Sequence, residues 1–573
     1  MSTWLVRLLL PLVALAGLTP FSLSQGVLAA LVGPVTDAKS LPVPGASVSA
    51  TNEATNQAHR TVTSSAGIFA ITHLPPGIYR VTVTAPGFQT FSELSVRLEA
   101  SEVRRLPVQL QVGSLHTEVT ATAPSGRLDT DSAARGELIP ARLVDGLPLN
   151  DRNYINLAGL VPGIYHRVGS DEQGEGLSAS GTRADAAGFA LDGLVNRSDR
   201  SGTPGVGISL EAVREFDVQM SSLGAASGRT GGVQVTVVSR SGTNRLRGSL
   251  FDYLRHEAFD ARNTFTPPGE SAPLRRQQLG GSLGGPLRRD RAFFFAAYER
   301  LRERRSLAAN TTAPHSDWLR GDFRNLRKAG SDGIWGNSDD TNRLVDPLSR
   351  KEFPTPNLIP DSKIDPVARR MVPFVPAANL AGTLDGYAAS GRVNDDRHTL
   401  TGRLDTFWKS GAAVSARWSA EWGDAYDPFS ALRNFYPGFG RYESRRLDSM
   451  AVTGIKGFGR QWVNEARIGY FSHQQDRTAE NSSTDYVSQF GIPINLDRSL
   501  WGFPSIRIDG FAEFGDRPND PSIFTVRNSQ FSDTVSRAVG AHTVSLGLEV
   551  VRSTYRETDL RSIRGDFRFR GRN

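Results

Sequence analysis

The chain has 573 residues and no cysteine. That absence excludes a disulfide framework, a thiolate zinc site and a cysteine nucleophile. Beyond the N-terminal segment there is also no run of roughly 20 apolar residues, the length a membrane-spanning helix needs. Aromatic residues are ordinary at 9% and mean hydropathy is −0.31, which excludes a polytopic helical membrane protein. A membrane barrel is not excluded, because barrel strands are about ten residues long and alternate, so their average hydropathy is low. A dominant charge sign is missing too. The 66 Lys and Arg face 59 Asp and Glu, a net charge of +7. The two signs are interspersed rather than striped, which is the pattern of a mixed solvated surface and gives no footing for nucleic acid. A chain of this length holds several domains.

Residues 1–29 read as a signal peptide. Arg7 supplies the positive region, residues 8–18 the apolar core, and Ala29 or Ala30 a small cleavage residue. Residues 30–112 read as all-β. Pro44 and Gly45 turn into a strand at Ser47-Val48-Ser49-Ala50, and Ile68-Phe69-Ala70-Ile71 is another, ended by Pro75-Pro76-Gly77. Tyr79, Val81 and Val83 then alternate with Arg80, Thr82 and Thr84, so one face is buried and the other wet. Val108, Leu110 and Val112 form a closing strand. Short strands with Gly/Pro turns make a small sandwich. The order PGASVSATN and GIFAITHLPPGIYRVTVTAPGF resembles the carboxypeptidase regulatory-like domain, a structural sandwich and not a peptidase core. His59 and His73 lack metal-ligand spacing and read as surface residues.

Residues 115–124 are a short β-prone segment. An extended, unpaired segment offers its backbone groups to a partner's sheet edge; the alternative is an ordinary linker strand. Residues 125–240 carry Leu147-Pro148-Leu149-Asn150-Asp151-Arg152-Asn153-Tyr154, Val161-Pro162-Gly163 and Phe189-Ala190-Leu191-Asp192-Gly193-Leu194. The most specific stretch is 209–248: a short acidic helix start, a strand at 215–219, a Gly-rich turn at 224–232, a second strand at 233–238, then Ser241-Gly242-Thr243-Asn244. Together these resemble the plug domain of TonB-dependent outer-membrane receptors, of the Oar-like kind. Residue 151 is Asp where that pattern expects Gly, which a turn tolerates. The resemblance implies that Glu118, Val119, Thr120, Ala121, Thr122 and Ala123 contact a TonB-type energy-coupling protein. Asp192, Glu211, Arg214, Glu215 and Arg229 are candidates for plug–barrel ion pairs, or for ordinary solvated charges.

Residues 245–573 read as transmembrane strands. Val414, Ala416, Trp418 and Ala420 alternate with Ser415, Arg417, Ser419 and Glu421, one face for lipid and one for a wet lumen. Ala466, Ile468 and Tyr470 alternate with Glu465 and Arg467, and Val544, Leu546, Leu548 and Val550 with Ser545 and Glu549. A soluble sandwich alternates equally well, so the plug resemblance decides. The irregular stretch 310–394 reads as a long extracellular loop. In it, Asp332, Asp339 and Asp340 offer oxygen ligands among glycines and are calcium candidates, although the spacing and terminal Glu of an EF-hand are missing.

The expected fold class is mainly β: a small β-sandwich, then an α+β plug domain, then part of a large antiparallel transmembrane β-barrel. Roughly ten strands are too few to enclose a plug, and an open sheet in lipid leaves unsatisfied backbone, so the expectation is a C-terminally truncated receptor. The resemblance implies energy-coupled uptake of an unidentified ligand in the outer membrane, with outer-membrane lipid around the barrel, no cofactor and no enzymatic step. A secreted or surface adhesion protein of β-sandwich modules is the alternative.

Overall fold

The computed structural model describes residues 28–570 except 101, 114–117, 123–134, 148, 168–175, 180, 200–201, 222, 224–227, 229, 262–272, 327–341, 430–434, 459–461 and 540–541. The signal-peptide reading up to residue 27, the calcium candidates Asp332, Asp339 and Asp340, and Ala123 and Arg229 lie outside the described residues.

The N-terminal unit is a sandwich. Its strands are β1 (Ala29–Thr36), β2 (Ser47–Asn52), β3 (Ala58–Val62), β4 (Ile68–Leu74), β5 (Gly77–Thr84), β6 (Thr90–Leu98), β7 (Val103–Arg105), β8 (Val108–Gln109) and β9 (Glu118–Thr122). One sheet has the order β4-β1-β7, with β8 also paired to β1; the other runs β3-β2-β5-β6-β9. Tyr79, Val81 and Val83 are fully buried between the sheets with Leu31, Val48 and Leu98, as the period of two requires. The closing strand is shorter than the sequence suggests. Val108 and Leu110 are buried, but Val112 is exposed, because pairing with β1 stops at Gln109. The segment expected to be unpaired is not: β9 lies parallel to β6, with Val119 opposite Phe91 and Thr122 opposite Leu94.

The second unit contains β10 (Arg135–Pro140), β11 (Ile164–Arg167), β12 (Gly176–Ala179), β13 (Gly188–Leu191), β14 (Leu194–Val195), β15 (Val213–Ser221) and β16 (Gln234–Ser239). Its main sheet runs β10-β15-β16-β13-β14. Phe216 and Val218 of β15 point into a core with Ile139, Leu157, Phe189 and Val235. Leu447, Phe471, Phe524 and Val526 of the third unit join that same core.

The third unit is a nine-stranded antiparallel sheet. It comprises β17 (Arg247–His256), β18 (Leu274–Arg288), β19 (Ala292–Thr312), β20 (Gly386–Phe407), β21 (Ala413–Asp427), β22 (Arg441–Phe458), β23 (Trp462–Ala479), β25 (Ser522–Val539) and β26 (His542–Asp559). Every strand pairs with its sequence neighbour except that β24 (Ser505–Ile508) stands aside and pairs with β27 (Asp566–Phe569). Among the described residues β17 and β26 are the two edges. Short turns gather at one end and long connections at the other. The long stretch is narrower than 310–394, because β19 and β20 stay paired out to Thr312 and Gly386. The long connections build their own small core from Met371, Tyr436, Phe439, Phe490, Phe503 and Phe514.

Burial on this sheet is inside-out. Arg417, Glu465, Arg467 and Asp405 are 4%, 1%, 2% and 2% exposed, while Trp418, Ile468, Leu404 and Val452 are 40%, 42%, 50% and 47% exposed. A soluble sandwich buries the opposite face, so this pattern separates the two readings that alternation left open. Trp408 and Trp462 stand exposed at the short-turn end, and Tyr442 at the other, as interfacial aromatic belts do. Ile468→Arg near mid-strand should therefore destabilise the membrane-embedded protein by about 2–4 kcal/mol, measured by denaturant unfolding in lipid vesicles; a cost near zero would mean this face meets water.

Candidate functional site

The site is built on the turn between β13 and β14. Asp192 and Gly193 both have positive φ, 51° and 80°, which an Asp-Gly pair adopts at low cost. The turn aims the Asp192 carboxylate at the barrel wall. Its Oδ1 and Oδ2 accept from the Ser239 N–H and hydroxyl, both at 2.8 Å. Arg417 Nε lies 2.8 Å from Oδ2, and Arg403 Nη1 lies 3.3 Å from Oδ1. Arg403 also pairs with Asp405 at 2.9 Å. Asp405 in turn accepts from Ser241 and Ser415, each at 2.6 Å. Beside this cluster Arg467 donates to Gly193 O at 3.5 Å and pairs closely with Glu465. A side chain at Gly193 would collide with the Arg467 guanidinium.

Further contacts seat the same unit. Ser209 donates to Glu299 at 2.7 Å, and Glu299 also meets Arg152 at 3.7 Å. Arg152 stacks over Phe251 and Tyr253, 4.4 and 4.6 Å from their centroids, a geometry that favours a cation over an aromatic face. Gln530 mimics a neighbouring strand for Val195, accepting from its N–H at 2.8 Å and donating to its carbonyl at 2.7 Å.

The short-turn end faces the sandwich. Arg214 donates to Pro76 O, and Glu215 accepts the Ala100 N–H at 2.7 Å. Burial raises the Glu215 carboxyl, with Arg214 acting in the opposite sense. Burial pushes Asp217 up to about 7, against a hydrogen bond from Gln219. His73 is not a surface residue. Its side chain is 9% exposed and its Nε2 lies 3.9 Å from Glu465 Oε2; it sits at the end of β4 with φ 61°, a bend that carries the ring into the mouth. Burial lowers its pKa despite Glu465. His59 lines the neighbouring cavity, and burial pushes it down to about 4.

Of the charges expected to bridge plug and barrel, Asp192 pairs with the wall. Glu211 meets Arg152 at 3.4 Å and accepts from Ser249 of β17 at 2.8 Å. Arg214 and Glu215 turn instead to the sandwich: the register of β15 shifts between Val213 and Glu215, which breaks the alternation that buries Phe216 and Val218. The alternation placed Arg417, Glu465 and Arg467 on a wet face; instead Arg417 meets Asp192, Arg467 donates to Gly193 O, and Glu465 lies between Arg467 and His73. Arginines recurring on the inner positions of alternating strands were the available signal. Among the described residues no group of three or more His, Asp or Glu side chains could hold a metal.

These features define a membrane β-barrel wall with a folded unit pinned against its inner face. The chain belongs to the outer membrane beta barrel domain family, which matches residues 238–573. The protein is an outer-membrane protein. Residues 30–111 match the carboxypeptidase regulatory-like domain. Over 303 residues the chain is 24% identical to the TonB-dependent transporter Oar of Myxococcus xanthus, covering 50% of this chain and 28% of that protein. The chain thus spans less than a third of the length of that curated relative. Among solved structures it is similar to the outer membrane transporter YddB from Escherichia coli, with 10% identity, TM-score 0.46, and coverage of 74% of this chain and 48% of that one. It is also similar to a mutant of the ferric enterobactin receptor PfeA from Pseudomonas aeruginosa, with 10% identity, TM-score 0.42, and coverage of 73% and 49%.

Removing one member of a buried ion pair strands the other, at about 3–5 kcal/mol. Asp192→Ala should loosen the second unit by that order, read as a lower denaturant midpoint for protease protection of residues 135–239. Asp199→Ala, which removes an exposed hydrogen bond from Ser553, should cost less, about 1 kcal/mol. A second outcome concerns pH. Folded Asp217 keeps its proton to about pH 7, whereas a free carboxyl releases it near 3.9. The folded state therefore binds more protons across that window, and its stability falls as pH rises from about 4 to about 7. Protease protection at the contact between the sandwich and the second unit should weaken between those limits, and Asp217→Asn should flatten the profile.

Proposed function

We propose that the chain works in an energy-coupled outer-membrane receptor of the TonB-dependent kind. Residues 30–112 form the regulatory-like sandwich, 125–240 the plug and 245–573 the strands of the wall. An unidentified ligand is taken at the long-connection end, and residues 118–123 engage a TonB-type partner by strand addition. Pulling on that segment rearranges the plug. The observation that carries this reading is the Asp192 turn held by Arg403 and Arg417 of the wall, a folded unit seated inside a strand wall where a simple adhesin or pore needs none. The similarity to Oar supports it. No covalent step is part of the proposal.

The expected edge for strand addition is β9. Its pairing with β6 occupies one side, so an incoming strand would extend the sandwich sheet or displace β9 from β6. Val119→Pro removes a backbone donor and disturbs the added strand. Binding of the full chain to the purified periplasmic domain of a TonB-type protein should fall by about tenfold or more in this variant, measured by pull-down titration. Unchanged binding would sink the assignment of residues 118–123.

A further inference from the structure

Three loops of the sandwich converge on the short-turn end of the wall. From the β2–β3 turn, Ala54 O accepts the Asn244 N–H at 3.0 Å, Asn56 donates to the Asp290 carboxylate at 3.0 Å, and Gln57 donates to Asp290 O. From the β4–β5 turn, Pro76 O accepts from Arg214, and the adjoining His73 reaches Glu465. From the β6–β7 turn, Ala100 N–H binds Glu215 at 2.7 Å. Asn244 and Asp290 are also joined directly, at 2.7 Å. Asp290 lies in the short turn between β18 and β19, and Asn244 in the link from plug to wall. The sandwich therefore touches plug, link and wall at once. A domain hung on a flexible tether makes no such set of contacts.

Between these loops lies a cavity of about 850 Å³, lined by Asn52 and Tyr79 of the sandwich, Asp192 and Arg214 of the plug, and Arg417 and Thr453 of the wall. All three units supply its lining, so the sandwich forms one of its walls. The buried ions around Asp192 are shielded on this side by the sandwich.

We propose that the N-terminal sandwich is a second closure, seated across the short-turn mouth beneath the plug, with the β4–β5 turn as its stopper. A solute that travels along the inner face of the wall past the second unit meets the sandwich at this end. The closure goes beyond the coupling reading, because it is set by the sandwich–mouth contacts whether or not residues 118–123 take a partner strand.

The absence of cysteine makes the test direct. Thr453→Cys reports the cavity, and Ser410→Cys, in the exposed turn after β20, reports an open reference on the same end. Full chain in outer-membrane fractions is treated with a bulky maleimide–polyethylene-glycol reagent that reaches the short-turn side. The cavity cysteine should label about tenfold or more slowly than the reference. Adding His73→Ala and Arg214→Ala should raise its rate by about tenfold without moving the reference. Asn56→Ala with Gln57→Ala, which removes only exposed contacts, should give a smaller rise in the same direction. Equal labelling at Thr453→Cys and Ser410→Cys in the otherwise unaltered chain would overturn the closure. So would a rate that both sets of substitutions leave unmoved.

Discussion

An arginine on a lipid-spanning strand is tolerable only with a partner, and Arg417 is 4% exposed on such a strand. Its charge cannot be left alone in a low-dielectric site. Asp192 supplies the opposite charge from another unit, and Ser419 and Ser449 accept from the remaining guanidinium nitrogens at 3.0 and 3.2 Å. The position of the second unit follows from that need. Once Asp192 is fixed, the β13–β14 turn is fixed, and Leu194 packs onto the wall where Gly469 leaves room for it. Ser239 at the end of β16 is tied to the same carboxylate, so the link into β17 is placed too.

The same network orders the three units along the chain. The sandwich meets the plug through Ala100 and Glu215 and meets the wall through His73 and Glu465, while Glu465 is already held by Arg467, which in turn binds Gly193. A movement of the sandwich thus changes the surroundings of the ions that seat the second unit. Residues touching two neighbours at once, Asn244 and Arg214 among them, are where such a movement is felt first.

Much of this was legible in the sequence, for definite reasons. The hairpins of the wall follow from period-two alternation with Gly or Pro at the turns, and the sandwich core from Tyr79, Val81 and Val83. The direction of the wall's faces was not legible, because alternation has no sign; exposure of Trp418 and Ile468 supplies it. The partners of Asp192 were hidden by distance along the chain, Arg403 being 211 positions away. His73 was hidden for a different reason: a lone histidine beside a turn looks solvated, and only the arrival of Glu465 from another unit buries it. The pairing of β9 is a matter of register between segments 28 residues apart, and nothing local specifies it.

The parallel pairing of β9 with β6 has a mechanical meaning. Five residue pairs, from Thr90 with Glu118 to Leu94 with Thr122, form the contact. A load directed along the strands is borne by all their hydrogen bonds together and must shear them in one event. A load directed across the strands meets them singly and peels the contact from one end. The same five pairs are therefore stiff to a tug along their axis and weak to one at right angles, so the angle of approach, and not only the strength of the pull, decides whether this strand holds or lets go.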